Sequence, residues 1–524
     1  MSPFQPILLA IAVVALVVAL TALARRLPIP SPILQVLAGV ALGFLPGVTV
    51  PELEPDLVFF VFLPPILWAA AFFTSLREFR QNTRPIGLLA VGLVFATTAV
   101  VAIVSRMLLP ELPWAVAVAI GAIVSPPDAV AAAAVVSRLP VPRRVIVILE
   151  GESLVNDAAA LVLYRTAVVA AVTGVFSLGA SIVRFFIDAA VGAVIGIVVA
   201  WLVVQVLKIT RDALAETLLT IAAPYLAWVA AESIHVSAVL ACVAGGIFLR
   251  QHFSTVVSPT SRLQSRAVWD LIIFIVNALV FLILGLEVGP ILEQVPRDTL
   301  GSVLWAGVIL SLVTIVLRLL WVPVATVVPR KLSAAIRRRE PEPNPKAVAL
   351  VAWTGMRGIV SLASALALPL ALGSGQPFPY RAEIILITMC VIMITLVVQG
   401  LTLTPIIKAF NFAPEAGHHA EERHARREAL RRGAEALEDL SREPWADPAE
   451  VERMRRELRD RIQHDQQHDR DHATHRRLRI GVLKAERRML VRLRNEGAIS
   501  DETLRELEEE LDHEAVRVGA GDVR

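Results

Sequence analysis

The chain has 524 residues, of which 56% are hydrophobic and 19% charged, with a mean hydropathy of +0.66. That balance excludes an ordinary soluble globular protein, whose apolar share lies nearer half. A formal charge of +3 with no basic cluster interleaved by aromatics gives no nucleic-acid partner, and two cysteines inside apolar runs, Cys242 and Cys390, exclude a disulfide framework.

A helix of about 20 apolar residues crosses the hydrocarbon core of a bilayer. On that rule the chain yields about thirteen candidate spans, at roughly 4–24, 32–48, 56–75, 85–109, 113–136, 145–172, 178–207, 212–232, 236–250, 267–292, 300–328, 347–372 and 381–409. The first run begins Met1-Ser2-Pro3-Phe4 with no basic residue before it, so it reads as a retained helix and not a cleaved leader. Of the 97 acidic and basic side chains, 50 lie in the last 113 residues. The expected domains are therefore a transmembrane domain over 1–410 and a charged helical domain over 411–524. The fold class is all-α and polytopic.

Orientation follows from Lys and Arg in the short loops, which concentrate on the cytoplasmic side. Alternate loops carry Arg25 and Arg26, then Arg77, Arg80 and Arg84, then Arg138, Arg143 and Arg144, then Lys208 and Arg211, then Arg250, Arg262 and Arg266, then Arg330 to Lys346. The intervening loops are acidic, with Glu52, Glu54, Asp56, Glu111, Glu293 and Asp298. The expected placement is a plasma-membrane protein with its N-terminus outside and its charged tail in the cytoplasm, surrounded by membrane lipids as partners.

Thirteen spans divide as six, one and six, the pattern of secondary transporters built from inverted repeats with broken helices at mid-membrane. The fifth span contains Ser125-Pro126-Pro127-Asp128, where two prolines remove two backbone donors. The twelfth contains Thr354-Gly355-Met356-Arg357-Gly358. Each break carries an ionisable residue, and a charge at the bilayer centre costs roughly 2.5–3.5 kcal/mol or more. The sixth span opens Glu150-Gly151-Glu152-Ser153-Leu154-Val155-Asn156-Asp157. At about 100° per residue, Glu152, Ser153, Asn156 and Asp157 share a stripe of roughly 140°, with the two carboxylates at its edges.

Carboxylate, hydroxyl, amide and carbonyl oxygens suit a hard monovalent cation such as Na⁺. Asp157 and Asp128, with Asn156 and Ser153, form the expected cation and proton site, and the Pro127 carbonyl is a candidate backbone ligand. A carboxyl group buried without a partner favours its protonated form, so cation and proton compete for the same oxygens. Arg357 needs a partner, and Glu152 or Glu150 is the obvious one; a purely structural alternative pairs Asp157 with Arg357 or Arg165. The other membrane charges, Arg318 among them, read as bundle pairs or as side chains reaching an interface.

The run from Glu150 to Asp157 resembles the hallmark of the sodium/proton exchangers of the monovalent cation:proton antiporter family 1. Gln35-Val36-Leu37-Ala38-Gly39 with Gly43, Leu63-Pro64-Pro65, Trp269-Asp270 with Asn277 and Gly285, and Met356-Arg357-Gly358 match further motifs, so the resemblance covers roughly residues 5–410. It implies a homodimer, two crossing broken helices, elevator-like alternating access and electroneutral exchange of Na⁺, or K⁺ or Li⁺, for H⁺, with no cofactor. It assigns Asp157 as the essential carrier, Asn156, Ser153 and Asp128 as ion-site positions, and Glu152 with Arg357 as a structural ion pair. Two positions depart from the family pattern: Pro127 replaces a threonine, and Trp68 and Ala69 stand where an acidic residue is common.

In the tail, 421–440, 451–462 and 476–496 read as helices, and Ser500 as the N-cap of a last one. His464, His468, His472 and His475 recur at helical spacing and form a candidate pH-sensing stripe. Readings from other classes are an intramembrane aspartyl protease using Asp128 and Asp157, and a cation channel gated by the tail.

Overall fold

The computed structural model describes residues 5–496 apart from 28, 46–54, 129–131, 134, 135, 137, 138, 175–177, 340, 341, 373, 374, 413–415, 467 and 468, with scattered residues from 498 to 514. Two compact units emerge, Met1–Pro414 and Glu415–Arg524. Among the described residues the first is helical throughout, apart from one isolated bridge between Ala371 and Pro377.

Its main helices are α1 (Gln5–Arg26), α2 (Ser31–Gly43), α3 (Pro55–Phe73), α4 (Thr83–Leu108), α5 (Trp114–Val124), α6 (Arg143–Thr173), α7 (Leu178–Ile209), α8 (Ala213–Glu232), α9 (Ala238–Val256), α10 (Pro259–Leu286), α11 (Arg297–Leu332), α12 (Pro345–Trp353), α13 (Ile359–Leu366) and α14 (Arg381–Phe410), with short helices at Leu76–Gln81, Val288–Gln294 and Ala334–Arg339. Seven helical segments among the described residues are long and apolar enough to cross a membrane, and four shorter apolar ones accompany them. Starts are marked by side chains that accept otherwise unpaired N–H groups. Asp212 accepts from Ala215 N at 2.7 Å, Ser258 from Ser261 N at 3.2 Å, and Asn344 from Lys346 N at 3.0 Å. In α4 the turn Leu88–Leu93 widens into π geometry, and there Trp321 Nε1 donates to the Leu88 carbonyl at 3.1 Å.

Lipid offers no water to repair exposed polar backbone, so helices gain contact through small residues. The motif glycines of α2 and α10 meet face to face: a Cβ on Gly39 would stand 2.1 Å from Leu282 O, and one on Gly285 2.1 Å from Val36 O. A Cβ on Gly196 of α7 would likewise stand 1.9 Å from Ala241 O of α9. Trp68, where an acidic residue is common, is buried against Gly245 and Gly246.

The buried apolar side chains fall mainly into two clusters. One gathers residues of α2, α4, α5, α6, α11, α12, α13 and α14 with Phe281 and Leu284 of α10; the other gathers α3, α7, α8 and α9 with Trp269, Val276 and Val280 of α10. Ala158 and Ile359 pack in the second cluster although their helices mostly serve the first, so the middle of α6 and the start of α13 lie on the seam.

The second unit contains α15 (Ala416–Leu440), α16 (Pro448–Gln466) and α17 (Asp469–Asn495). Arg455 ties the first two together, bonding Glu438 at 2.8 Å and Glu452 at 2.6 Å. Ser500 accepts from Thr503 N at 3.1 Å, as an N-cap does. Leu483 and Leu504 are buried. The side chains of His464, His468, His472 and His475 lie outside the described residues.

Candidate functional site: a carboxylate cavity where two helix breaks meet

The first break follows from its prolines. α5 ends at Val124, and Ser125 Oγ donates to Ala122 O at 3.0 Å, taking up one freed carbonyl. The second break runs over Thr354–Gly358, between α12 and α13. Because buried backbone groups must be paired, the break is pinned bond by bond. Thr354 Oγ1 donates to Leu350 O at 3.1 Å, Gly355 N to Trp353 O at 2.8 Å, and Arg357 N to Thr395 Oγ1 at 3.1 Å. The two breaks are joined directly: Asp128 N donates to Met356 O at 2.7 Å.

The Asp128 carboxylate lies against Gly358, the residue that opens α13; a Cβ there would sit 1.8 Å from Asp128 Oδ2. A negative group beside the first turn of a helix meets the positive end of its dipole. At the opposite end of α13, Arg381 donates to Leu366 O at 2.9 Å and Leu368 O at 3.0 Å, covering carbonyls that the helix leaves open. The eight-residue α13 is thus held by opposite charges at its two ends.

α6 runs past this meeting point. Asn156, fully buried, donates from Nδ2 to Pro127 O at 3.2 Å, while its Oδ1 has no hydrogen-bond partner among the described residues. Asp157 is 5% exposed and has no hydrogen bond or ion pair among the described residues. It lies close enough to Asp128 for the two charges to act on each other, a repulsion that a bound cation or proton relieves. Asp157, Asp128, Ser153, Glu150, Pro127 and Ser361 line one cavity of about 70 Å³, with Leu63, Ile66, Leu67 and Ala70 of α3 as an apolar wall. That volume admits a few waters or a largely dehydrated monovalent ion.

The direct ion pair of Glu152 is with Arg318, while Arg357, its expected partner, lies close enough to feel its charge without bonding it. Glu152 and Arg318 of α11, each 1% exposed, form a two-pronged ion pair, with Arg318 Nη2 donating to Glu152 Oε2 at 2.8 Å and Nη1 bonding the other oxygen. Arg318 Nε also donates to Val351 O at 3.2 Å. Five residues before Asp157, Glu152 points about 140° away around α6, toward α11 and not into the cavity. Arg357 instead turns back on its own loop, donating from Nη1 to Gly355 O at 2.9 Å. The structural alternative for Asp157 finds no support either, because Arg165 pairs with Glu232 at 3.6 Å.

The structure therefore brings together Asp157, Asp128, Ser153 and Pro127 around one cavity, with Asn156 as the clamp on the Pro127 carbonyl. Sequence reasoning missed Ser361, Thr395 and the roles of Arg318, Gly358 and Arg381. Only Gly358 carried a local signal, as a glycine beside an arginine in a broken span.

The sequence matches the family described as sodium/hydrogen exchanger, transmembrane, over residues 12–409. It is 32% identical to an uncharacterized Na(+)/H(+) exchanger of Mycobacterium tuberculosis, with 97% of this chain and 95% of that protein covered. It is 31% identical to the sodium, potassium, lithium and rubidium/H(+) antiporter of Bacillus subtilis, over 96% of this chain and 77% of that one. Among solved structures, the sodium proton antiporter MjNhaP1 of Methanocaldococcus jannaschii at pH 8 shares the fold with a TM-score of 0.58 at 19% identity, covering 76% of this chain and 100% of that chain.

Proposed function

The chain belongs to the sodium/hydrogen exchanger family, whose members are transporters and not enzymes, and from that premise we propose that it exchanges a monovalent cation for a proton at Asp157. The observation that carries this reading is a buried carboxylate with no partner among the described residues, sharing a small cavity with a second carboxylate where two helix breaks meet. A cation coordinated there neutralises the pair, and so does a proton; the two cannot share the same oxygens. Ser153, the Pro127 carbonyl and Asn156 Oδ1 complete an all-oxygen set suited to Na⁺, K⁺ or Li⁺. The Bacillus subtilis relative is named for sodium, potassium, lithium and rubidium, which supports a site that admits several alkali ions.

In this reading the chain crosses the plasma membrane thirteen times as six, one and six spans, with its N-terminus outside and its tail in the cytoplasm. Exchange is electroneutral, one proton for one cation. The two buried clusters, with the site on their seam, support an elevator-like movement of one packed body against the other, the stationary bodies forming a homodimer. The histidine stripe of the tail adjusts the pH response.

The test is proton flux in reconstituted vesicles on addition of Na⁺, K⁺ or Li⁺. Wild type exchanges, and Asp157→Asn does not. Lowering the pH by one unit in the acid range raises the half-saturating Na⁺ concentration by about tenfold through competition for one site. Equal flux in wild type and Asp157→Asn sinks the proposal, as does cation movement that needs no counter-ion.

A further inference from the structure

Two oxygen-bearing side chains of the cavity lining, Glu150 and Ser361, are left idle by the exchange scheme, and of these Ser361 is the buried one. Ser361 stands in the first turn of α13, 1% exposed, and its side chain lines the same cavity as Asp157, Asp128 and Ser153. Its Oγ has no hydrogen-bond partner among the described residues. Some buried hydroxyls bond their own chain segment, as Ser311 does to Gly307 O at 2.6 Å and Thr395 to Val391 O at 2.7 Å. Others, Thr97, Thr98, Ser105 and Thr388, also lack a partner among the described residues, but of these unpartnered hydroxyls only that of Ser361 belongs to a residue of the cavity lining. A buried polar atom is costly to leave unbonded, so an unbonded oxygen on a residue that lines a mostly apolar cavity holding two aspartates is fitted to a ligand that enters it. The remaining oxygens on the cavity's first broken helix are partly engaged already, since Pro127 O accepts from Asn156. The α3 side of the cavity is apolar and offers none.

We propose that Ser361 Oγ is a direct ligand of the transported cation, together with Asp157 and Ser153, and that it sets the preference among alkali ions. The assignment rests on the exchange reading given above. Its physical basis is that α13 is a fixed platform. Arg381 covers its C-terminal carbonyls, and Asp128 and Gly358 fix its start against the other break. A hydroxyl on such a platform presents its lone pairs at one set distance from Asp157. A small ion of high charge density gains most from that contact, so losing the oxygen penalises Li⁺ and Na⁺ more than K⁺.

The experiment compares wild type, Ser361→Ala, Ser361→Cys, Ser361→Thr and Asp157→Asn in vesicles, with maximal rate and half-saturating concentration measured for Li⁺, Na⁺ and K⁺. Ser361→Cys keeps the shape and exchanges a hard oxygen for a soft sulfur, so it reports on ligation even where alanine disturbs packing. The expected result is a rise of about tenfold in half-saturation for Na⁺ and Li⁺ in both the alanine and cysteine variants, the loss of one modest ligand contact. The shift for K⁺ is smaller, the maximal rate is little changed, and Ser361→Thr restores Na⁺ affinity. Half-saturation within twofold of wild type for all three ions, while Asp157→Asn is inactive, overturns the ligand assignment and leaves the exchange reading standing. A fall in maximal rate alone, with unchanged half-saturation and selectivity, also overturns it by showing a structural role. Absence of exchange in the wild type overturns the functional reading and this assignment with it.

Discussion

Replacing Glu152 by Gln tests the core of the fold. Glu152 and Arg318 are each 1% exposed and joined through both carboxylate oxygens. The substitution keeps the shape but leaves Arg318 charged and buried with no anion, retaining only the bond from its Nε to Val351 O. Removing one partner of a buried pair costs about 3–5 kcal/mol, most of it the penalty of the stranded charge. Removing both charges, as Glu152→Gln with Arg318→Met, strands nothing. The double variant therefore loses far less than the sum of the singles, and the coupling energy is about 3 kcal/mol. The same cycle with Arg357→Met yields less than half that coupling, because Arg357 bonds Gly355 O and not Glu152. Denaturant unfolding in bicelles, followed by the fluorescence of the nine tryptophans, reads the wild type and all five variants on one scale. A larger coupling of Glu152 to Arg357 than to Arg318 refutes the assignment of the pair.

Three further outcomes follow from the geometry. Gly358→Ala places a methyl 1.8 Å from Asp128 Oδ2, so cation-driven proton flux falls to background while membrane insertion, checked by protease accessibility of the loops, persists. Gly285→Ala forces α10 away from Val36 O, 2.1 Å from the new atom, and lowers the apparent melting temperature of the purified protein. Gly301→Ala, with nothing within 4 Å, is the matched control and is neutral or stabilising by up to about 1 kcal/mol; equal effects at the two sites contradict the close approach of α2 and α10. Arg381→Ala opens the carbonyls of Leu366 and Leu368, each bond to a charged donor being worth about 1.5–3 kcal/mol, and amide exchange over residues 359–368 accelerates. Unchanged protection there means that Arg381 does not hold α13.

Much of this architecture is written locally. Long apolar runs have one stable form in lipid, and Pro126-Pro127 and the glycines around Arg357 interrupt it by removing donors or loosening the chain; both breaks are visible without coordinates. The spacing of Ser153, Asn156 and Asp157 follows from helical rotation alone, so their gathering on one side of α6 is legible too. The partner of Glu152 is not. Arg318 and Arg357 are equally intolerable as lone charges, and nothing in the residues around either tells which one the folded chain brings to α6. The sequence likewise holds no sign that Asp128 N would pair with Met356 O, or that Ser361, an ordinary small residue in an apolar helix, would have a buried hydroxyl with no partner among the described residues. Those facts depend on contacts between segments far apart in the chain, where direction and distance are set by how whole helices pack. Local residue chemistry determined which groups a membrane would tolerate only in company, and tertiary packing alone decided the company each one keeps.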